Sequence, residues 1–193
     1  CFFFGYQYAV NTWEHTSNIT VEYCEFSGGR LYERLINSKA HRDSIYFANL
    51  ETNTVAQKGS GFVFRHNYVY EGFDGIQPRG VASELIGTVK DIPSDISYNV
   101  FINFIDNNVE SDGWDRLMNL RIHHNLVFDG LCLLSVAPTQ RGPLQIDHNL
   151  FYSSPEKGIN RGVLIKHSQP AGVLKPPGPV ERATRWTPSA SMD

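Results

Sequence analysis

The stretch Asp106-Asn107-Asn108-Val109-Glu110-Ser111-Asp112-Gly113-Trp114 gathers residue types that hold cations and move protons. If it is a strand with Val109 turned inward, then Asn108, Glu110 and Asp112 project from the other face, because successive side chains alternate. Carboxylates two residues apart on one strand lie about 6–7 Å from each other. That separation suits oxygen ligation of a shared calcium ion by Glu110 and Asp112, or the pairing of an acid with a base. Trp114 offers a ring face to a sugar. Two further groups, Asp74 with Gln77-Pro-Arg79 and Lys166 with His167, supply acids and cations for a fold that brings them alongside. Acids beside an Arg and a Lys on one strand face make a site for an acidic polysaccharide. The plainer alternative makes Asp74-Gly75 and Asp112-Gly113 turn residues and leaves Glu110 in solvent.

A second set of rings and histidines invites a metal reading. His66, His124 and His148, three of the seven histidines, each precede an asparagine, and Tyr23 and Tyr98 stand in the same register. Stacked about 4.8 Å apart, five such residues form one column. Metal ligands converge on a point, whereas a column spreads them out, so ring stacking at a bend is the expected role. His123, Arg121, Arg65 and Gln145 should alternate outward from the same strands into solvent.

The element that must position these residues is a repeat. Phe62-Val-Phe-Arg-His-Asn67-Tyr-Val-Tyr70, Ile96-Ser-Tyr-Asn99-Val-Phe-Ile102, Leu120-Arg-Ile-His-His-Asn125-Leu-Val-Phe128 and Leu144-Gln-Ile-Asp-His-Asn149-Leu-Phe-Tyr152 superpose on one asparagine, and Ile19-Thr-Val-Glu-Tyr-Cys24-Glu-Phe-Ser27 fits with Cys24 in its place. The marks at 24, 67, 99, 125 and 149 close up along the chain, so the early intervals carry inserted loops. Apolar and polar residues alternate on either side of each mark, the period-2 signature of short strands meeting at a bend. No segment sustains a helical period. An asparagine in the left-handed conformation would turn the chain, and its amide would bond the equivalent groups in the coils above and below.

These residues resemble the right-handed parallel β-helices of the pectate-lyase-like superfamily. The resemblance spans roughly residues 17–166 and rests on the asparagine register together with the short strands Asp74-Gly-Ile-Gln77, Asn108-Val-Glu-Ser111 and Gly130-Leu-Cys-Leu133. It implies an all-β solenoid of about five coils with a structural ladder of Cys24, Asn67, Asn99, Asn125 and Asn149. It also implies a groove over the strand after the ladder turn. There Glu110, Asp112 and Asp74 correspond to ligand or acid–base positions, Arg79 or Lys166 to the base, and Trp114, Gln77, Asn108 and His167 to substrate contacts. In a lyase, Glu110 and Asp112 would hold calcium against a uronate carboxylate and acidify the neighbouring C–H, from which Arg79 or Lys166 takes the proton. In a hydrolase, Glu110 and Asp112 would act as the acid and its partner without a metal. The competing class is a non-catalytic repeat module, adhesive or tailspike-like.

Length and composition agree with such a body. The 193 residues are 41% hydrophobic and 19% charged, which excludes a wholly disordered chain or a long polar coiled coil. A net charge of −3 does not suggest capture of nucleic acid or of an anionic membrane. Cys1, Cys24 and Cys132 match no zinc or redox spacing. The solenoid is expected over residues 1–169, as a fragment of a longer one, followed by an irregular tail over 170–193 that holds half of the ten prolines. An extracellular or periplasmic setting follows from the resemblance.

Overall fold

The computed structural model describes residues 1–6, 8–13, 15–28, 53–85, 87–111, 116–117, 119–136, 143–154 and 163–166. Among them the chain is all-β apart from a single 3-10 turn, Ser83–Leu85. A five-stranded parallel sheet takes one short strand from each repeat, in the order Thr20–Glu22, Val63–Arg65, Ser94–Ser97, Leu120–His123 and Leu144–Asp147. After each of these strands the chain bends and enters a second, ten-stranded sheet. There Glu25–Ser27, Tyr68–Gly72, the starts of Val100–Glu110 and Leu126–Ser135, and Leu150–Tyr152 pair in parallel. Past a second bend, Asn53–Gln57, Asp74–Pro78, the ends of the two long strands, and Val163–Lys166 form another parallel row. Parallel strands in stacked sheets, met in chain order, are compatible with a parallel β-helix. Residues 167–193, with the Pro-rich segment 170–193, lie outside the described residues, as does the body of the insertion at 29–52.

Alternation fills the space between the sheets. Phe64, Ile96 and Ile122 pair in register on the inner side of the first sheet, and Phe26, Val69, Phe101 and Val127 do the same on the second; all are at most 1% exposed. Ring contacts run through the stack, with centroids 4.7 Å apart for Phe3 and Phe26, 5.8 Å for Phe26 and Phe64, and 6.3 Å for Phe64 and Phe101. Each buried Phe contributes roughly 1.5–3 kcal/mol.

The bend itself differs from expectation. Positive φ belongs to the residue before each mark: Tyr23 (53°), His66 (53°), Tyr98 (56°), His124 (54°) and His148 (52°). The asparagines keep ordinary backbone angles, which frees them to bond in series. Asn67 N and Nδ2 donate to Asn99 Oδ1 at 3.0 and 3.1 Å, Asn99 does the same to Asn125 at 3.0 and 3.0 Å, and Asn125 to Asn149 at 3.0 and 2.9 Å. Cys24 joins through its backbone N, which donates to Asn67 Oδ1 at 3.0 Å. A left-handed non-glycine residue costs about 1–2 kcal/mol. The rings at these positions stack with centroids 4.9–5.1 Å apart, worth about 0.5–1.5 kcal/mol per pair, and the paired buried amides supply the rest. The column of rings is thus a stack, as expected.

Candidate functional site

The second bend brings part of the expected site together. Val109 pairs with Ile76, and Glu110 pairs with Ser135, which in turn pairs with Lys166, so Glu110, Ser135 and Lys166 share one row, with Gln77 one position after Ile76. Val109, Ile76 and Leu134 point into the core, so Glu110, Ser135 and Gln77 face away from it. Gln77 is the tie. Its Nε2 donates to Glu110 Oε2 at 2.7 Å and to Asp74 Oδ2 at 3.1 Å, and its Oε1 accepts from Arg79 Nη2 at 3.1 Å. Glu110 and Arg79 are half-buried, and Gln77 is buried.

Asp74 and Asn108 do not lie on the surface. Asp74 is 1% exposed, and its Oδ1 accepts from Asn107 N at 3.0 Å and Asn107 Nδ2 at 3.2 Å, the same two-donor pattern that joins the asparagines of the first bend. Burial, with the Glu110 and Asp106 carboxylates nearby, pushes the Asp74 carboxyl well above the usual carboxylate range, against the two Asn107 hydrogen bonds. Asn108 is 0% exposed and donates from Nδ2 to Phe128 O at 3.0 Å. The register against Leu126–Ser135 slips between Phe104 and Asn107 but is unbroken from Asn107 to Glu110, so Asn108 is buried because neighbouring chain covers it, not because alternation is lost. Glycines make room for Asn108 on both sides. A Cβ on Gly75 would meet Asn108 O at 2.2 Å, and one on Gly130 would meet Asn108 Oδ1 at 2.1 Å. A direct substrate contact through Asn108 is therefore replaced by a packing role.

The remaining expected members are only partly visible. Lys166 is placed by its backbone alone, in register with Ser135. Asp112, Trp114 and His167 lie outside the described residues. The candidate calcium pair is therefore represented by Glu110, and among the described residues Asp74, Asp106 and Glu110 do not bring three ligand atoms together.

A second polar cluster sits on the outer side of the five-stranded sheet. Ser97, His123 and Asp147 pair across adjacent strands, and so do Asp95, Arg121 and Gln145. His123, expected in solvent, is 9% exposed: its Nε2 lies 2.6 Å from Asp95 Oδ2 and its Nδ1 lies 2.7 Å from His124 Nδ1. Asp95 Oδ1 accepts in turn from Ser97 Oγ. Asp147 accepts from Arg121 Nε at 2.9 Å and Nη2 at 2.8 Å, and contacts His148 Nδ1 at 2.7 Å. Arg121 first, then His148, holds the Asp147 carboxyl well below its ordinary range. Asp95 and Asp147 were missed in the sequence, although both sit at fixed offsets from the asparagine marks.

A shallow groove of about 560 Å³ runs along Tyr23, His66, Tyr68 and Tyr98. None of the residues expected to bind or act on substrate lines it. Its stacked rings present edges to solvent, since their faces lie against one another. Comparison with family models, with curated proteins and with solved structures returns no match.

Proposed function

We propose that the chain is a right-handed parallel β-helix of about five coils with an asparagine ladder, of the pectate-lyase-like kind, and that it binds an acidic polysaccharide outside the cell or in the periplasm. One observation carries this reading: Gln77 fixes a carboxylate and a guanidinium at once, through Glu110 Oε2 at 2.7 Å and Arg79 Nη2 at 3.1 Å. A uronate unit offers a carboxylate for Arg79 and hydroxyls for Glu110, and charge-assisted bonds of this kind are the strong ones. Lys166 stands in the same backbone row, in register with Ser135, which pairs with Glu110.

Cleavage by elimination would draw on Arg79 or Lys166 as base, with Glu110 and Asp112 as the proposed calcium pair. Calcium takes six to eight oxygens, and of the proposed pair Glu110 alone lies among the described residues. The non-catalytic reading is favoured by one specific fact: Asp74, a candidate second acid, is buried and committed to the Asn107 backbone.

The test is a binding and turnover screen on polygalacturonate, with neutral dextran as control. Retention by the uronate polymer and not by dextran is expected, with Arg79→Ala weakening it about tenfold, the loss of roughly one charge-assisted bond. Unsaturated product that appears and disappears with chelator identifies a calcium-dependent lyase, and new reducing ends without it identify a hydrolase. Equal retention by dextran sinks the polysaccharide reading.

A further inference from the structure

His123 Nδ1, His124 and a carboxylate oxygen of Asp147 present three ligand atoms within 4.8 Å of one another. Two independent features prepare them for a metal. The first is orientation: Asp95 Oδ2 occupies the far nitrogen of His123 at 2.6 Å, which leaves Nδ1 turned toward His124. A carboxylate on the distal nitrogen is the usual support of a metal-binding histidine, fixing its tautomer and raising its basicity. Asp95 is itself anchored by Ser97 Oγ, and His123 is buried, so this support is rigid. The second is that the two Nδ1 atoms face each other at 2.7 Å. Two ring nitrogens that meet at one point, with a carboxylate beside them, give the convergence a metal ion needs.

We propose that His123, His124 and Asp147 bind one divalent first-row transition ion, with zinc as the representative, on the outer face of the five-stranded sheet. Imidazole with carboxylate suits zinc, cobalt, nickel or copper better than calcium or magnesium. Tetrahedral zinc with Zn–N near 2.05 Å sets its nitrogens about 3.3 Å apart, so the rings open by about 0.6 Å from their present spacing. His124 is exposed and has room to do so. Three protein ligands on a solvent-facing sheet leave the fourth position to water, the arrangement of an open site. Arg121 opposes the ion, because it holds both oxygens of Asp147, and binding transfers one of them to the metal. The site lies on a different sheet from Gln77 and Glu110 and does not depend on the polysaccharide reading.

The experiment is titration of the chain with Zn²⁺ by calorimetry, and with Co²⁺ by visible absorption. One equivalent should bind, and Co²⁺ should give the intense band of a tetrahedral site. His124→Gln and Asp147→Asn each weaken binding at least tenfold, Asp95→Asn weakens it about tenfold, and His66→Gln, whose ring stacks on Tyr23 and Tyr98, leaves it unchanged. Arg121→Gln tightens it, a direction that a purely structural ion pair would not produce. His124 is exposed and Asp147 half-buried, so circular dichroism on these variants keeps loss of binding separate from loss of fold. Absence of a one-to-one complex, or parental affinity in both His124→Gln and Asp147→Asn, overturns the proposal. So does a loss of binding in His66→Gln that His123→Gln does not share.

Discussion

At the residue scale Asp74 carries a testable charge. Its carboxyl is buried and held above its ordinary value, while in the unfolded chain it titrates near 3.9. A group whose folded value is raised contributes stability that is present below the unfolded value and lost as pH rises toward the folded one. Asp74 therefore subtracts stability as pH rises above about 4. Asp74→Asn keeps an oxygen for Asn107 but turns an amide toward Gln77 Nε2, now 3.1 Å from Asp74 Oδ2. The variant should be less stable than the parent near pH 4, and the gap should narrow as pH rises; urea midpoints across that range decide it. A gap that widens with pH means the carboxyl is ionised in the fold. Asp74→Ala instead strands Asn107 N and Nδ2, at about 1–3 kcal/mol for each buried donor. Asp74 was legible in the sequence as an acid next to a turn glycine. Its burial was not, because it follows from the backbone of the next coil, which no local pattern encodes.

At the element scale the two bends set the energetics. Asn125 is 0% exposed; removing its side chain orphans Asn99 N, one of the two protons on Asn99 Nδ2, and Ile96 O, which it now pairs. Asn125→Ala should cost on the order of 3–5 kcal/mol by urea unfolding. Asn149 is half-buried at the end of the series, and Asn149→Ala should cost clearly less. Equal costs would mean that the amides do not act as a connected series. At the second bend Gly75→Ala forces a Cβ to 2.2 Å from Asn108 O, a backbone atom with no slack, and should cost about 1–3 kcal/mol. The asparagine register was readable because it repeats with strand alternation around it. The same alignment also held the cluster on the first sheet: two residues before the marks stand Glu22, Arg65, Ser97, His123 and Asp147. Outward residues at that offset look solvated one strand at a time, and only the stacking of coils sets His123 beside Asp147 and turns it toward Asp95. The left-handed angle was assigned to the asparagine because Asn is the usual occupant; His and Tyr take it here because each ring has a neighbour to stack on.

At the scale of the whole molecule, burial is graded along the stack. In the second sheet Phe26, Val69, Phe101 and Val127 are at most 1% exposed, whereas their register partners at the two edges, Phe3 and Phe151, are only half-buried. The third row behaves alike, with Ile76, Val109 and Leu134 at 0% and Ile165 at 47%. Among the described residues each pass of chain contacts mainly its two neighbours, so the first and last of these passes have half the partners of an inner one, and stability in such stacks is close to a sum of nearest-neighbour contributions. Local opening should then cost least at the ends and most in the middle. Native-state hydrogen exchange is expected to be slowest at the amides of Val63–Arg65, Ser94–Ser97 and Leu120–His123, and fastest in Phe2–Phe4 and Leu150–Tyr152. The gradient also predicts how substitutions differ. Phe64→Ala, at 0% exposure between Phe26 and Phe101, should cost about 3–5 kcal/mol. Ile165→Ala should stay below about 1 kcal/mol. Uniform protection across all rows, with equal costs for the two substitutions, would show one cooperative block and remove the nearest-neighbour account. A graded result would place both the Gln77–Glu110 tie and the His123 cluster next to well-protected strands, rigid enough to hold a ligand at fixed distances.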